Sequence, residues 1–128
     1  MALELIDIAK RAGADTHIHP TSLVLPEGSF NVLLGTTLAG KTTLMQIMAG
    51  IQKPTSGTIM FRCKDVTGVA VQKRNVSMVY QQFINYPNFT VYDNIASPLR
   101  VAGMDRAGIA RRVMAAAELL RLKPLLTR

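Results

Sequence analysis

The sequence has no tryptophan, a single cysteine and only 5% aromatic residues among its 128. One cysteine excludes an internal disulfide framework and fits a reducing compartment. Sparse aromatics argue against the alternating aromatic and basic surface on which single-stranded nucleic acids stack. No apolar run reaches the ~18 residues a membrane-spanning helix needs. Met1 to Ala9 include Glu4 and Asp7 but no leading basic cluster, so they do not read as a signal peptide. Acidic residues are scarce as well: 8 Asp and Glu face 15 Lys and Arg, a net charge of +7. That excess is local. Between Arg100 and Arg128 the basic residues Arg100, Arg106, Arg111, Arg112, Arg121, Lys123 and Arg128 are opposed only by Asp105 and Glu118. A basic stretch confined to one helical segment reads first as a solvated helix face, and no nucleic-acid partner is expected. What remains is a globular composition, 48% hydrophobic and 18% charged, long enough for one domain.

Along the chain, Leu3, Leu5, Ile6 and Ile8 predict a first strand. Lys10 to Pro20 is polar, holds Gly13 and Pro20, and reads as a loop. Ser22 to Leu25 is a short strand, Pro26-Glu27-Gly28 a tight turn, and Ser29 to Leu34 an apolar strand ending at Gly35. Leu44, Ile47 and Met48 lie at helical spacing, so Lys41 to Ala49 is expected as a helix with Gly50 at its end. Thr58 to Arg62 and Val76 to Tyr80 read as strands, and Gln81 to Phe89 as a loop. Thr90 to Asp93 fits a capping box in which the aspartate reaches back to the threonine amide; a helix to about Leu99 follows. Asp105 caps a last helix, Arg106 to about Leu122, whose buried face would hold Ile109, Val113, Ala116, Ala117 and Leu120. Cys63 and the methionines read as core or boundary residues without chemistry.

The strongest chemical signal is Gly35-Thr36-Thr37-Leu38-Ala39-Gly40-Lys41-Thr42, followed by Thr43. It fits the phosphate-loop pattern G-x-x-x-x-G-K-[ST] between an apolar strand and a helix. Phosphates must meet several backbone N–H groups at once, and glycines let the chain wrap that closely. The helix start turns its positive dipole end toward the anion. Lys41 would add a charge near the β- and γ-phosphates, and the Thr42 hydroxyl suits Mg²⁺. The bland alternative is a chance glycine-rich turn.

The residues downstream narrow the reading. Val76-Ser77-Met78-Val79-Tyr80-Gln81-Gln82 ends a predicted strand in glutamine, and Tyr86-Pro87-Asn88-Phe89-Thr90-Val91-Tyr92-Asp93-Asn94-Ile95 follows. This resembles the Q-loop of ABC transporter ATPases, particularly importers of carbohydrate-type solutes. Pro26-Glu27-Gly28, Met48-Ala49-Gly50 and Pro54-Thr55-Ser56-Gly57 are similar to the family as well, so the likeness spans nearly the whole chain. Val71-Gln72-Lys73-Arg74-Asn75 and Leu38 resemble the glycerol and glycerol-phosphate branch. The resemblance implies an α/β P-loop NTPase (ABC ATPase) core with N-terminal antiparallel β strands and the start of a helical subdomain. Residues 1–85 would be the nucleotide-binding core and 86–128 the Q-loop end and helical segment. It implies ATP and Mg²⁺ as cofactors. Gln81, with Gln82 as second choice, would take the catalytic Q-loop position facing Mg²⁺ and the attacking water. It also implies transmembrane permease subunits and a second ATP-binding subunit as partners, in a cytoplasmic location peripheral to the plasma membrane. Arg106, Arg111 and Arg112 would then meet permease or lipid head groups, if they do more than face solvent.

The sequence also departs from that family. Leu38 stands where glycine is usual and is costly if the position needs positive φ. Thr36 replaces a proline. Ala12 occupies the place of the aromatic that stacks on adenine, and His17 or His19 could supply a flat ring instead of holding a metal. The sequence stops before the signature motif and before the Walker B strand with its catalytic glutamate. A truncated chain that cannot turn over alone is therefore expected. Without those strands, Ser29–Leu34 and Val76–Tyr80 should lose their neighbours and expose apolar faces. The expected function is the ATP-binding, energy-coupling subunit of an importer for a carbohydrate, glycerol or glycerol phosphate. The alternatives are a non-hydrolysing nucleotide-binding remnant, another P-loop class such as a small kinase or GTPase, and a basic nucleic-acid module.

Overall fold

The computed structural model describes residues 3–128. They form two compact units, one ending at Val79 and the other running from Tyr80 to Arg128.

The first unit is built on an antiparallel sheet of order β2-β1-β3-β4, with β1 at Leu3–Ala12, β2 at Asp15–Leu25, β3 at Ser56–Phe61 and β4 at Lys64–Asp65. Helix α1, Lys41–Ala49, packs against it. Leu5, Ile8, Ile18, Leu44, Ile47 and Ile59 make the core, with Ile8, Ile47 and Ile59 fully buried. Burying each such side chain contributes about 1.5–3 kcal/mol. The helix ends as expected: Gly50 takes φ 80 and its N–H donates to the Ile47 carbonyl at 3.0 Å.

Several expectations for this unit are corrected. Lys10 to Pro20 is not a loop; it is the closed end of a long hairpin. Ala12 pairs with Asp15, and Gly13 at φ 62 supplies the backbone sign that a tight hairpin turn requires. Its polarity belongs to a strand whose side chains are mostly exposed. Ser29–Leu34 and Val76–Tyr80 form no strand. A strand exists only through its ladder, and neither segment has a pairing partner among the described residues. Their apolar side chains stand out in solvent: Phe30 is 93% exposed, Leu34 84% and Val79 93%. Cys63 is no boundary residue either. It sits exposed in the β3–β4 turn at φ 63.

In the second unit, α2 spans Val91–Val101 and α3 spans Arg106–Leu119. Ala96, Ile109 and Val113 form its buried centre, with Tyr92, Ile95, Leu99, Met104 and Leu126 around them. Both helices start at the caps read from the sequence. The Thr90 hydroxyl oxygen accepts from the Asp93 amide at 3.1 Å, and Asp105 accepts from the Gly108 amide at 3.2 Å. The Asp93 carboxylate does not reach the Thr90 amide as expected; it accepts from the Thr90 hydroxyl at 2.7 Å and from Arg100 at 2.5 Å. Leu120 is 61% exposed instead of buried, because α3 stops one residue before it.

Candidate functional site

Residues Gly35 to Gly40 connect the exposed 29–34 segment to α1 by an irregular turn, closed by an Ala39 amide to Thr36 carbonyl bond of 3.3 Å. Gly40 precedes the helix at φ 83, where a side chain is strained. It also leaves no room for one. A Cβ there would come within 2.5 Å of the Ile18 Cδ1 and 2.9 Å of the His17 carbonyl oxygen. The glycine thus lets the loop press directly onto β2.

Leu38 does take positive φ, at 68°, and is 98% exposed. Its side chain gains nothing from packing, and the left-handed backbone costs about 1–2 kcal/mol. Thr37, Leu38 and Ala39 are all exposed around this turn.

The first helical bond of α1 runs from the Leu44 amide to the Gly40 carbonyl at 2.9 Å. The amides of Gly40, Lys41, Thr42 and Thr43 therefore precede the ladder and have no backbone partner among the described residues. No side chain caps them. The Lys41 ammonium folds back over the loop and donates to the Gly35 carbonyl at 2.7 Å and the Thr36 carbonyl at 2.5 Å. Thr42 is exposed on the first turn. The result is a ring of unpaired N–H donors beside a positive side chain, an arrangement suited to an anion with several oxygens.

The other end of α1 holds a residue whose role the sequence does not show. Arg74 is only 8% exposed, and its guanidinium donates to the carbonyls of Met48, Val66, Thr67 and Val69. It lies against Gly50, where a Cβ would come within 2.5 Å of the guanidinium. Burial pulls its pKa below the usual arginine range. This cation faces the negative end of the helix dipole and ties α1 to the Val66–Val69 segment. Nothing in the local pattern around Arg74 signals a contact with Met48, because the two are far apart in sequence.

His17 and His19 share an open cavity of about 260 Å³ with Lys41, Leu33 and Leu44. Gln81 and Gln82 belong to the second unit, where both are exposed in an irregular stretch. Neither side chain has a hydrogen-bond partner among the described residues. The stretch becomes ordered at Tyr86. There the Asn94 side chain accepts from the Tyr86 amide at 2.7 Å and donates to the carbonyls of Tyr86, Phe89 and Thr90 at 3.1, 3.2 and 3.0 Å. The loop that follows Gln81 is thus pinned at its far end by one amide side chain that sequence reading passed over.

Residues 18–128 match the ABC transporter family. The chain belongs to that family. Among its relatives, the alpha-glucoside transport ATP-binding protein AglK of Rhizobium meliloti is 40% identical over 98% of this chain and 35% of its own length. The sn-glycerol-3-phosphate import ATP-binding protein UgpC of Cupriavidus necator is 38% identical over 91% of this chain and 32% of its own. The chain thus spans about a third of the length of these curated relatives. A dimeric ATP-binding cassette in a post-hydrolysis state with ADP and Pi superposes with a TM-score of 0.84 at 21% identity. It covers 98% of this chain and 60% of the other. The α/β fold of this chain, with its antiparallel N-terminal strands, is that of an ABC ATPase domain.

Proposed function

We propose that this chain is part of the ATP-binding, energy-coupling subunit of an importer, and that Gly35 to Thr43 hold the phosphates of Mg·ATP. The supporting observation is the set of uncapped amides at Gly40, Lys41, Thr42 and Thr43 next to the Lys41 ammonium. Lys41 would exchange its carbonyl partners for phosphate oxygens. Charge-assisted bonds to phosphate are roughly twice as strong as neutral ones, which favours that exchange. Thr42 is the oxygen donor the loop offers to Mg²⁺, which neutralises phosphate charge when bound. A hydroxyl oxygen suits that hard cation. Gln81, on an unpaired stretch, is free to follow nucleotide state.

The cargo is a carbohydrate, glycerol or glycerol phosphate. AglK and UgpC, whose names give an alpha-glucoside and sn-glycerol-3-phosphate, support that range. Permease subunits and a second ATP-binding subunit complete the assembly, with the chain on the cytoplasmic side. No helix among the described residues is long and apolar enough to cross a membrane. A specific observation favours a narrower second reading, in which the chain holds nucleotide without turning it over. Among the described residues, segments 29–34 and 76–80 have no strand partner and are largely exposed. Hydrolysis would then await strands that bring a general base.

Calorimetry of Mg·ATP with the full chain and Lys41→Ala, with phosphate release followed in the same samples, tests both readings. Binding that Lys41→Ala weakens at least tenfold, without phosphate release, is expected. Binding unchanged by the substitution contradicts the loop assignment, and steady release of phosphate contradicts the second reading.

A further inference from the structure

Helix α1 is short and lightly fastened. Its nine residues make about 13 Å of helix, too few to persist without tertiary support. Leu44 and Ile47 pack it into the core, but apolar burial is non-directional and sets tilt and rotation less sharply than a hydrogen bond. Among the described residues, one hydrogen bond joins α1 to chain outside residues 35–52: an Arg74 Nη1 donates to the Met48 carbonyl at 3.2 Å. The neighbouring carbonyls of Gln46 and Ile47 accept from the Gly50, Ile51 and Gln52 amides. Met48 depends on the guanidinium instead.

The same guanidinium reaches the sheet. Its Nε donates to the Val69 carbonyl at 2.9 Å and its Nη2 to the Val66 and Thr67 carbonyls. Val66 and Thr67 are fastened to Ile59 of β3, which is fully buried. The Val66 amide donates to the Ile59 carbonyl at 2.8 Å, and the Ile59 amide to the Thr67 hydroxyl at 2.8 Å. At its other end α1 meets the same sheet through Gly40, which lies against the His17 carbonyl and Ile18 of β2. One sheet thus holds both ends of the helix, and the open amides sit at the end away from Arg74.

We propose that Arg74 is a positioning residue of the anion site: its grip on Met48 and the binding of a polyphosphate at Gly40–Thr43 favour each other through α1. This rests on the reading in which those amides hold phosphates. The amides converge on one anion only while the first turn is helical and set against the sheet. Without the guanidinium the Met48 carbonyl is left unpaired, and the last turn of so short a helix frays and loosens the first. Linkage runs both ways, so an anion that fixes the first turn also tightens the Arg74 bonds. Lysine cannot stand in, because one ammonium lacks the planar fork that serves four carbonyls at once.

Calorimetric titration with Mg·tripolyphosphate tests this on the full chain, Arg74→Ala and Arg74→Lys, each shown folded by circular dichroism at the titration temperature. Both variants should bind about tenfold more weakly. About 10 mM guanidinium chloride, far below denaturing strength, should restore most of the loss in Arg74→Ala by refilling the vacated space, and sodium chloride at the same concentration should not. A second measurement needs no variant. In the wild-type chain, saturating tripolyphosphate should slow water exchange of the Arg74 Nε–H by roughly threefold more than that of the β1 amides. Wild-type affinity in either folded variant, no rescue by guanidinium, or Nε–H exchange that does not respond overturns the role of Arg74 and leaves the phosphate loop standing. Failure of the wild-type chain to bind tripolyphosphate overturns the phosphate-loop reading and the linkage with it.

Discussion

Helix α1 and helices α2 and α3 begin in opposite ways. Thr90 and Asp105 close the first turns of α2 and α3 with side-chain oxygens. Gly40 closes nothing at α1, and its first-turn amides stay unpaired. All three helices face the same deficit of N–H partners at their N-termini. A cap settles that deficit within the chain. Leaving it open, beside a lysine held in place by two carbonyls, keeps the donors available to an anion. Stability and binding thus make opposite demands on the same few amides.

The largest break in this comparison should come from Gly40→Ala. The added Cβ collides with His17 and Ile18, and alanine resists a φ of 83°. A loss of roughly 2–4 kcal/mol is expected in the first unit. It is read by thermal melting, with tripolyphosphate binding lost below the transition.

Removing a cap instead should leave the anion site alone. Asp105→Ala or Thr90→Ala should each cost about 1 kcal/mol in the second unit. Faster hydrogen exchange at Val113 should show it, while tripolyphosphate affinity stays at the wild-type value. A cap substitution that weakens tripolyphosphate binding would contradict the division of roles.

Leu38→Gly sharpens the contrast from the other side. Leucine at φ 68 gains no burial for its strained backbone, so glycine should stabilise the loop geometry by about 1 kcal/mol, less its own entropy cost in the unfolded chain. Differential melting of the two proteins measures the balance, and a clear destabilisation would show that the exposed leucine has a partner.

The smallest effect is acid sensitivity at the start of α2. Hydrogen bonds from Arg100 and Thr90 hold the Asp93 carboxyl below its ordinary range. Its folded pKa is depressed, so this contribution is complete above the unfolded value near 3.9 and is lost as pH falls through the folded one. Arg100→Gln should reduce the acid-induced loss of helicity below about pH 4, seen by circular dichroism.

Local patterns carried much of this structure. The span of α1, the caps at Thr90 and Asp105, and the glycines at positions 40 and 50 follow from rules that act within one turn of chain. So does the phosphate-loop spacing, whose residues are contiguous. The misreadings arose where pairing decides. Ser29–Leu34 and Val76–Tyr80 have the composition of strands, but composition cannot supply the neighbour that makes a ladder. Lys10–Pro20 has the polarity of a loop, yet pairing with β1 and a glycine turn make it a hairpin. Arg74 and Asn94 act on carbonyls that no spacing rule connects to them. The sequence by itself determined which amides could be left open at a helix start, because helix periodicity, capping chemistry and glycine conformation are local. Tertiary structure alone decided that Lys10–Pro20 closes a hairpin on β1 and that a buried arginine holds the far end of α1. Each of those depends on which distant backbone comes near enough to share a hydrogen bond.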